Sequence, residues 1–172
     1  NQVNPHFLFN SLNALTNLVY DDQEKAVKFI MQLSDVYRYV LDTRDKEVVS
    51  IAEENAFLKA FLFLQQIRFG DKLKLDVDLQ EARGEIPPLA LQMLVENAIK
   101  HNIVDADSPL IIDIETEHEY LIIRNNLQKK RMVETSNRQG LANLHKLYRY
   151  LTTKPILIEE TDRVYLTKIP LI

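Results

Sequence analysis

The chain has 172 residues, 46% of them apolar, and a formal net charge of −4, which is enough material for one large domain or two small ones. It contains no cysteine, which excludes disulfides and thiolate metal sites and fits a reducing compartment. The negative charge argues against nucleic acid as a direct ligand, and the longest apolar stretch, residues 56–67, is interrupted by Lys59 and is too short to span a bilayer.

Residues 1–20 suit a helix, with Leu8, Leu12, Leu15 and Val19 on one stripe. Gln2, His6, Asn10, Asn13 and Asn17 fall together on another face, so His6 is expected to project to solvent from a strip of amides. Asp21-Asp22 interrupts the pattern. Residues 23–43 then read as a second helix, with Ile30, Leu33, Tyr37 and Val40 repeating every three or four. Two such helices joined by a short polar turn make an antiparallel hairpin. A lone hairpin leaves its apolar stripe half exposed, so pairing with a second copy into a four-helix bundle, a homodimer, is expected.

Residues 43–50 are charged and polar and read as a linker. Residues 51–69 are expected to be helical, with Glu53 and Glu54 in the first turn where the helix dipole favours them. Gly70-Asp71 ends that helix, and residues 73–79 alternate like a strand. Pro87-Pro88 opens a helix running to about Asn102. Residues 110–116 and 120–124 form a hairpin of strands, residues 126–138 a loop, residues 140–150 a helix, and residues 156–159 and 164–169 a last strand pair. The second half therefore predicts a mixed sheet with helices on one face, an α+β sandwich. His118 and His145 read as ordinary surface positions.

Two segments carry the chemistry. The first is PHFLFNSLN at residues 5–13, and the second is PLALQMLVENAIKHN at residues 88–102, whose helix carries Glu96, Asn97, Lys100 and His101. In this order they resemble the LytS-type sensor histidine kinases, in which the first is the phospho-accepting H-box and the second the ATP-binding N-box. The resemblance implies a helical hairpin for dimerisation and phosphotransfer over residues 1–46, half of a four-helix bundle. A GHKL/Bergerat-type α/β sandwich that binds ATP would follow over residues 47–172.

It further implies that His6 accepts the γ-phosphoryl group of ATP and passes it to an aspartate in a response-regulator receiver domain, in relatives often one with a LytTR output domain. Asn10, one turn on, would orient the imidazole. Phe7 stands where many other histidine kinases place a carboxylate base. Asn97 would hold Mg²⁺ through its side-chain oxygen, and Lys100 and His101 would meet phosphates or ribose. Gly140 and Leu141 resemble the family's glycine box. Asn125, in Arg124-Asn125-Asn126-Leu127, takes the place of the acid that reads the adenine amino group in relatives. Its carbonyl can accept from that amino group, and its NH₂ can donate to a ring nitrogen.

The loop at residues 128–138 has no glycine but carries Lys129, Lys130, Arg131 and Arg138, the cations of an expected ATP lid. Relatives usually carry membrane-spanning sensor segments upstream, so this chain reads as the cytoplasmic kinase fragment of a membrane protein. A gyrase- or Hsp90-type ATPase would need a glutamate four residues before Asn97, where Met93 stands. A dimeric pseudokinase scaffold that signals by conformation is the remaining alternative.

Overall fold

The computed structural model describes residues 5–131 and 138–172, Arg138 by its backbone alone. Helix α1 (Pro5–Asp21) and helix α2 (Gln23–Asp42) form the expected hairpin, joined at Asp22. Asp22 caps α2, its side chain accepting from the Lys25 amide, one of the donors that a helix start leaves unpaired.

The hairpin buries only part of the stripe that its periodicity marked: Val40 is buried and Leu15 and Leu33 pack against the core. In α1 the buried positions are Phe7 and Ser11, with Ala14, Leu15 and Leu18 packed partly behind them. In α2 they are Ala26, Phe29, Val36 and Val40. Leu12, Val19 and Ile30 stay exposed. The apolar arc of each helix is wider than one stripe, and the edge bearing Phe7 in α1 and Phe29 in α2 goes inward, while Phe9 stays exposed. The inward edge meets helix α3 (Ile51–Phe69), where the Phe7 ring lies 5.2 Å from that of Phe61. The hairpin thus shares one buried cluster with the rest of the chain.

Ser50 belongs to the cap of α3. Its hydroxyl accepts from the Glu53 amide, and the Glu53 carboxylate takes the Ser50 amide, a reciprocal capping box. Just before it, strand β1 (Val49–Ser50) pairs antiparallel with strand β3 (Glu85–Ile86), so the end of the expected linker is tied down. Gly70 ends α3 at φ +56, a left-handed value that suits glycine.

Five strands make the main sheet: β2 (Leu73–Val77), β4 (Leu110–Glu117), β5 (Tyr120–Asn126), β6 (Leu157–Glu160) and β7 (Val164–Pro170), in the order β2-β4-β5-β7-β6. The β2–β4 pair is parallel and the others are antiparallel. Alternation sorts the two faces. Leu73, Leu110, Ile112, Ile114, Leu121, Ile123 and Ile169 join the buried cluster with residues of α3, helix α4 (Ala90–His101) and helix α5 (Arg138–Leu151). Charged residues such as Arg124 and Glu115 occupy alternate positions and pair at 3.4 Å. This is the expected α+β sandwich.

Helix α4 begins later than its prolines suggested. Leu89 adopts a left-handed backbone, φ 66, before the first helical residue. Proline has no N–H to donate, and the residue before a proline is steered away from the helical region, so Pro87-Pro88 shapes the approach rather than the first turn.

Candidate functional site

Helix α4 turns Leu91, Leu94, Val95 and Ala98 into the core and leaves Asn97, Lys100 and His101 half-buried. A cavity of about 490 Å³ lies alongside. From α4 it is lined by Asn97 and His101, from the cap beyond it by Asn102, and from β5 by Ile123 and Asn125. Leu141, Ala142 and His145 of α5 face it, as do Tyr165 and Thr167 of β7. Lys129, Lys130 and Glu160 stand around it too, and Lys129 and Glu160 form an ion pair with each other. A largely apolar hollow with a few convergent polar groups suits a flat heterocycle carrying charge at one end.

Four sequence-predicted residues therefore share one cavity: Asn97, His101, Asn125 and Leu141. Lys100 is on the same helix but not in the lining. Nor is Gly140, whose position has a packing reason: a Cβ there would come within 3.2 Å of Met93 Sδ, so glycine lets α5 approach α4 closely. His145, read from sequence as ordinary surface, is part of the wall. The unglycined loop is described as far as Arg131. Residues 132–137, the Arg138 side chain and Gln2 lie outside the described residues.

Asn125 is only 4% exposed, and its Nδ2 donates to the Asn126 carbonyl at 2.8 Å. One N–H of its amide is thereby committed. Asn126 in turn accepts from the Ile111 amide at 2.8 Å and donates to the Pro109 carbonyl at 3.0 Å, fixing the end of β5 against the start of β4.

Asn102 carried no expected role beyond closing the motif, yet it is buried and shapes the site. Its Oδ1 accepts from the Gln128 amide at 2.7 Å and its Nδ2 donates to the Ala98 carbonyl at 2.8 Å. Lys130 N–H donates to the His101 carbonyl at 3.1 Å. These bonds hold the segment bearing Lys129 and Lys130 beside the end of α4.

Electrostatics follow from burial. The His101 imidazole is pushed below its ordinary value by burial, with the Lys100 and Lys130 charges adding to the effect, so its neutral form is favoured. The Glu96 carboxyl is pushed up to about 6 by burial, against a hydrogen bond from Gln92 and the charge of Lys100, which favour the ionised form. Among the described residues no cluster of three His, Asp or Glu could hold a metal ion, so an ion here would need a ligand's own oxygens.

His6 lies elsewhere. It is exposed near the start of α1 and is not part of the cavity wall. Asn10 is half-buried one turn on, while Asn13 and Asn17 are exposed. Phe7, beside His6, is a core residue packed on α3. The alternation of β7 points Tyr165 and Thr167 inward but carries no sign of a ligand, which is why the sequence did not single them out.

Residues 1–73 match the histidine kinase family model. The sensor protein LytS of Staphylococcus haemolyticus (strain JCSC1435) is 37% identical over 131 residues, 73% of this chain and 22% of its own length. The sensor protein LytS of Bacillus subtilis (strain 168) is 43% identical over 102 residues, 58% of this chain and 17% of its own length. A solved histidine kinase from Burkholderia phymatum STM815 covers 98% of both chains at 11% identity and a TM-score of 0.47. The sequence matches alone place the chain in the histidine kinase family. Within that class it is of the LytS sensor type, and it spans about a fifth of the length of the curated relatives it matches.

Proposed function

We propose that the chain is the kinase portion of a two-component sensor: it binds ATP in the cavity beside α4 and transfers the γ-phosphoryl group to His6. The carrying observation is the convergence of Asn97 and His101 from α4 and Asn125 from β5 on one cavity. Adenine fits the apolar end, with Asn125 Oδ1 accepting from the exocyclic amino group. Thr167 adds a hydroxyl on the same wall. Lys129, Lys130 and Lys100 supply positive charge for the phosphates.

Magnesium would be held by Asn97 together with the phosphate oxygens; it would neutralise charge on the transferred group. In the transfer, an imidazole nitrogen forms a bond to phosphorus as the bond to the β-phosphate oxygen breaks, and ADP leaves. The phosphoryl group then passes to an aspartate carboxylate of a response-regulator receiver domain, and the imidazole is regenerated. Because His6 is not in the wall of the cavity, the nucleotide must reach it by a rearrangement or from a second copy. The exposed stripe of the hairpin, which includes Leu12, Val19 and Ile30, supports a homodimer. None of the described helices is long and apolar enough to cross a membrane. Attachment to one would come through segments upstream, and the domain division at residues 46 and 47 is our assignment.

Incubation with ATP labelled in its γ-phosphate separates the readings. Labelled protein supports the kinase, free phosphate without labelled protein an ATPase, and neither outcome the pseudokinase scaffold.

A further inference from the structure

Glu54 sits in the first turn of α3, where a carboxylate usually faces water and the helix dipole, yet it is 0% exposed. Its Oε2 accepts from the Tyr39 hydroxyl at 2.5 Å and from the Leu89 amide at 3.3 Å, and its Oε1 accepts from the Leu91 amide at 3.3 Å. One side chain therefore touches three helices: its own, α2 through Tyr39, and the start of α4. The start of α4 has no side-chain cap of its own, because Leu89 occupies the cap position with its left-handed backbone. A carboxylate from 35 residues earlier in sequence does that work. Tyr39 is held in place independently, its ring stacked on Phe57 at 4.4 Å between centroids.

We propose that Glu54 is a positioning residue that sets the placement of α4, and with it Asn97 and His101, according to where α2 holds the Tyr39 hydroxyl. The reason is mechanical. Helix α4 is 12 residues of regular backbone, so a shift imposed on its first amides is carried along its axis to the cavity. Oε2 is shared between Tyr39 and Leu89, so a change in one bond is felt by the other. The hairpin that bears His6 would thereby report its packing to the nucleotide site. The nucleotide arm of this proposal rests on the function proposed above; the clasp does not.

The test compares amide hydrogen exchange and Mg·ATP affinity in the whole chain, in Tyr39→Phe and in Glu54→Gln. Tyr39→Phe keeps the ring on Phe57 and removes only the hydroxyl. Exchange at Leu89 and Leu91 is expected to quicken at least about fivefold in Tyr39→Phe and more in Glu54→Gln, whose amide turns an N–H toward one of the donors. Amides of β4 and β5 should keep wild-type rates, and Mg·ATP affinity should fall several-fold. Wild-type exchange at Leu89 and Leu91 in both variants overturns the clasp. So does an increase spread evenly over α4 and the sheet, which a merely structural contact would give. Localised exchange with unchanged Mg·ATP affinity overturns the positioning role. A wild-type chain that binds no Mg·ATP counts against the nucleotide function, while the exchange comparison still decides the clasp.

Discussion

Asn125 and Glu54 are both buried polar side chains, and each makes a prediction that an exposed residue would not. Asn125→Asp would supply a charged acceptor for an adenine amino group. It would also set a carboxylate oxygen against the Asn126 carbonyl, where the amide now donates at 2.8 Å. The two effects separate. ATP affinity should rise several-fold relative to that of ITP, which lacks the amino group, because a hydrogen bond to a charged group exceeds a neutral one by about 1 kcal/mol. Thermal stability should fall. Calorimetry with both nucleotides checks the first, and equal responses to ATP and ITP would remove Asn125 as the adenine reader.

Glu54 is pushed up to about 7 from 4.5, with burial outweighing the bonds from Tyr39, Leu89 and Leu91. Its contribution to stability is therefore full below pH 4.5 and is lost as pH rises through 7. Glu54→Gln should flatten unfolding free energy over that window by up to about 1.4 kcal/mol per pH unit, measured by urea denaturation at a series of pH values. A variant with the wild-type pH slope would contradict the burial argument. The resemblance to the LytS-type kinases made Asn97, His101 and Asn125 legible in the sequence. No local pattern could do the same for Glu54, because the donors that bind it lie 15, 35 and 37 residues away on other elements.

Among the elements, periodicity located the long helices and strands well but did not mark the hairpin edge, with Phe7 and Phe29, that packs inward. Ile30 and Phe29 are neighbours in α2, and a stripe can be drawn through either. The structure buries Phe29 completely, in the cluster that the hairpin shares with α3, and leaves Ile30 48% exposed. Only the tertiary partner settles that choice. Phe29→Ala should cost about 3–5 kcal/mol of stability, whereas Ile30→Ser should stay within about 0.5 kcal/mol for a monomer. Chemical denaturation compares them, and equal losses would mean that the hairpin does not dock on α3 as described. Strands β1 and β3 are two residues each, too short to carry any period, so only their pairing reveals them. The left-handed Leu89 was hidden for a similar reason. Nothing in a leucine announces positive φ, and the Glu54 carboxylate that accepts from its amide lies 35 residues away.

At the scale of the whole molecule, α1 and α2 have two apolar edges and α3 covers one. Leu12, Val19 and Ile30 on the other edge remain open to water, and burying a leucine or isoleucine contributes roughly 1.5–3 kcal/mol. Light scattering at high micromolar concentration is expected to give a dimer, weakened by Ile30→Ser. A monomer with the apolar edge intact would contradict this. The sandwich and its cavity were foreseeable from alternation and two motifs, but the placement of His6 away from the cavity was not, since it depends on how the hairpin packs. The central claim is that the cavity serves His6. The most direct measurement is the chemistry and position of phosphate after incubation with γ-labelled ATP. The account predicts label that is stable to alkali, labile to acid and absent in His6→Gln; label that persists in His6→Gln would contradict it.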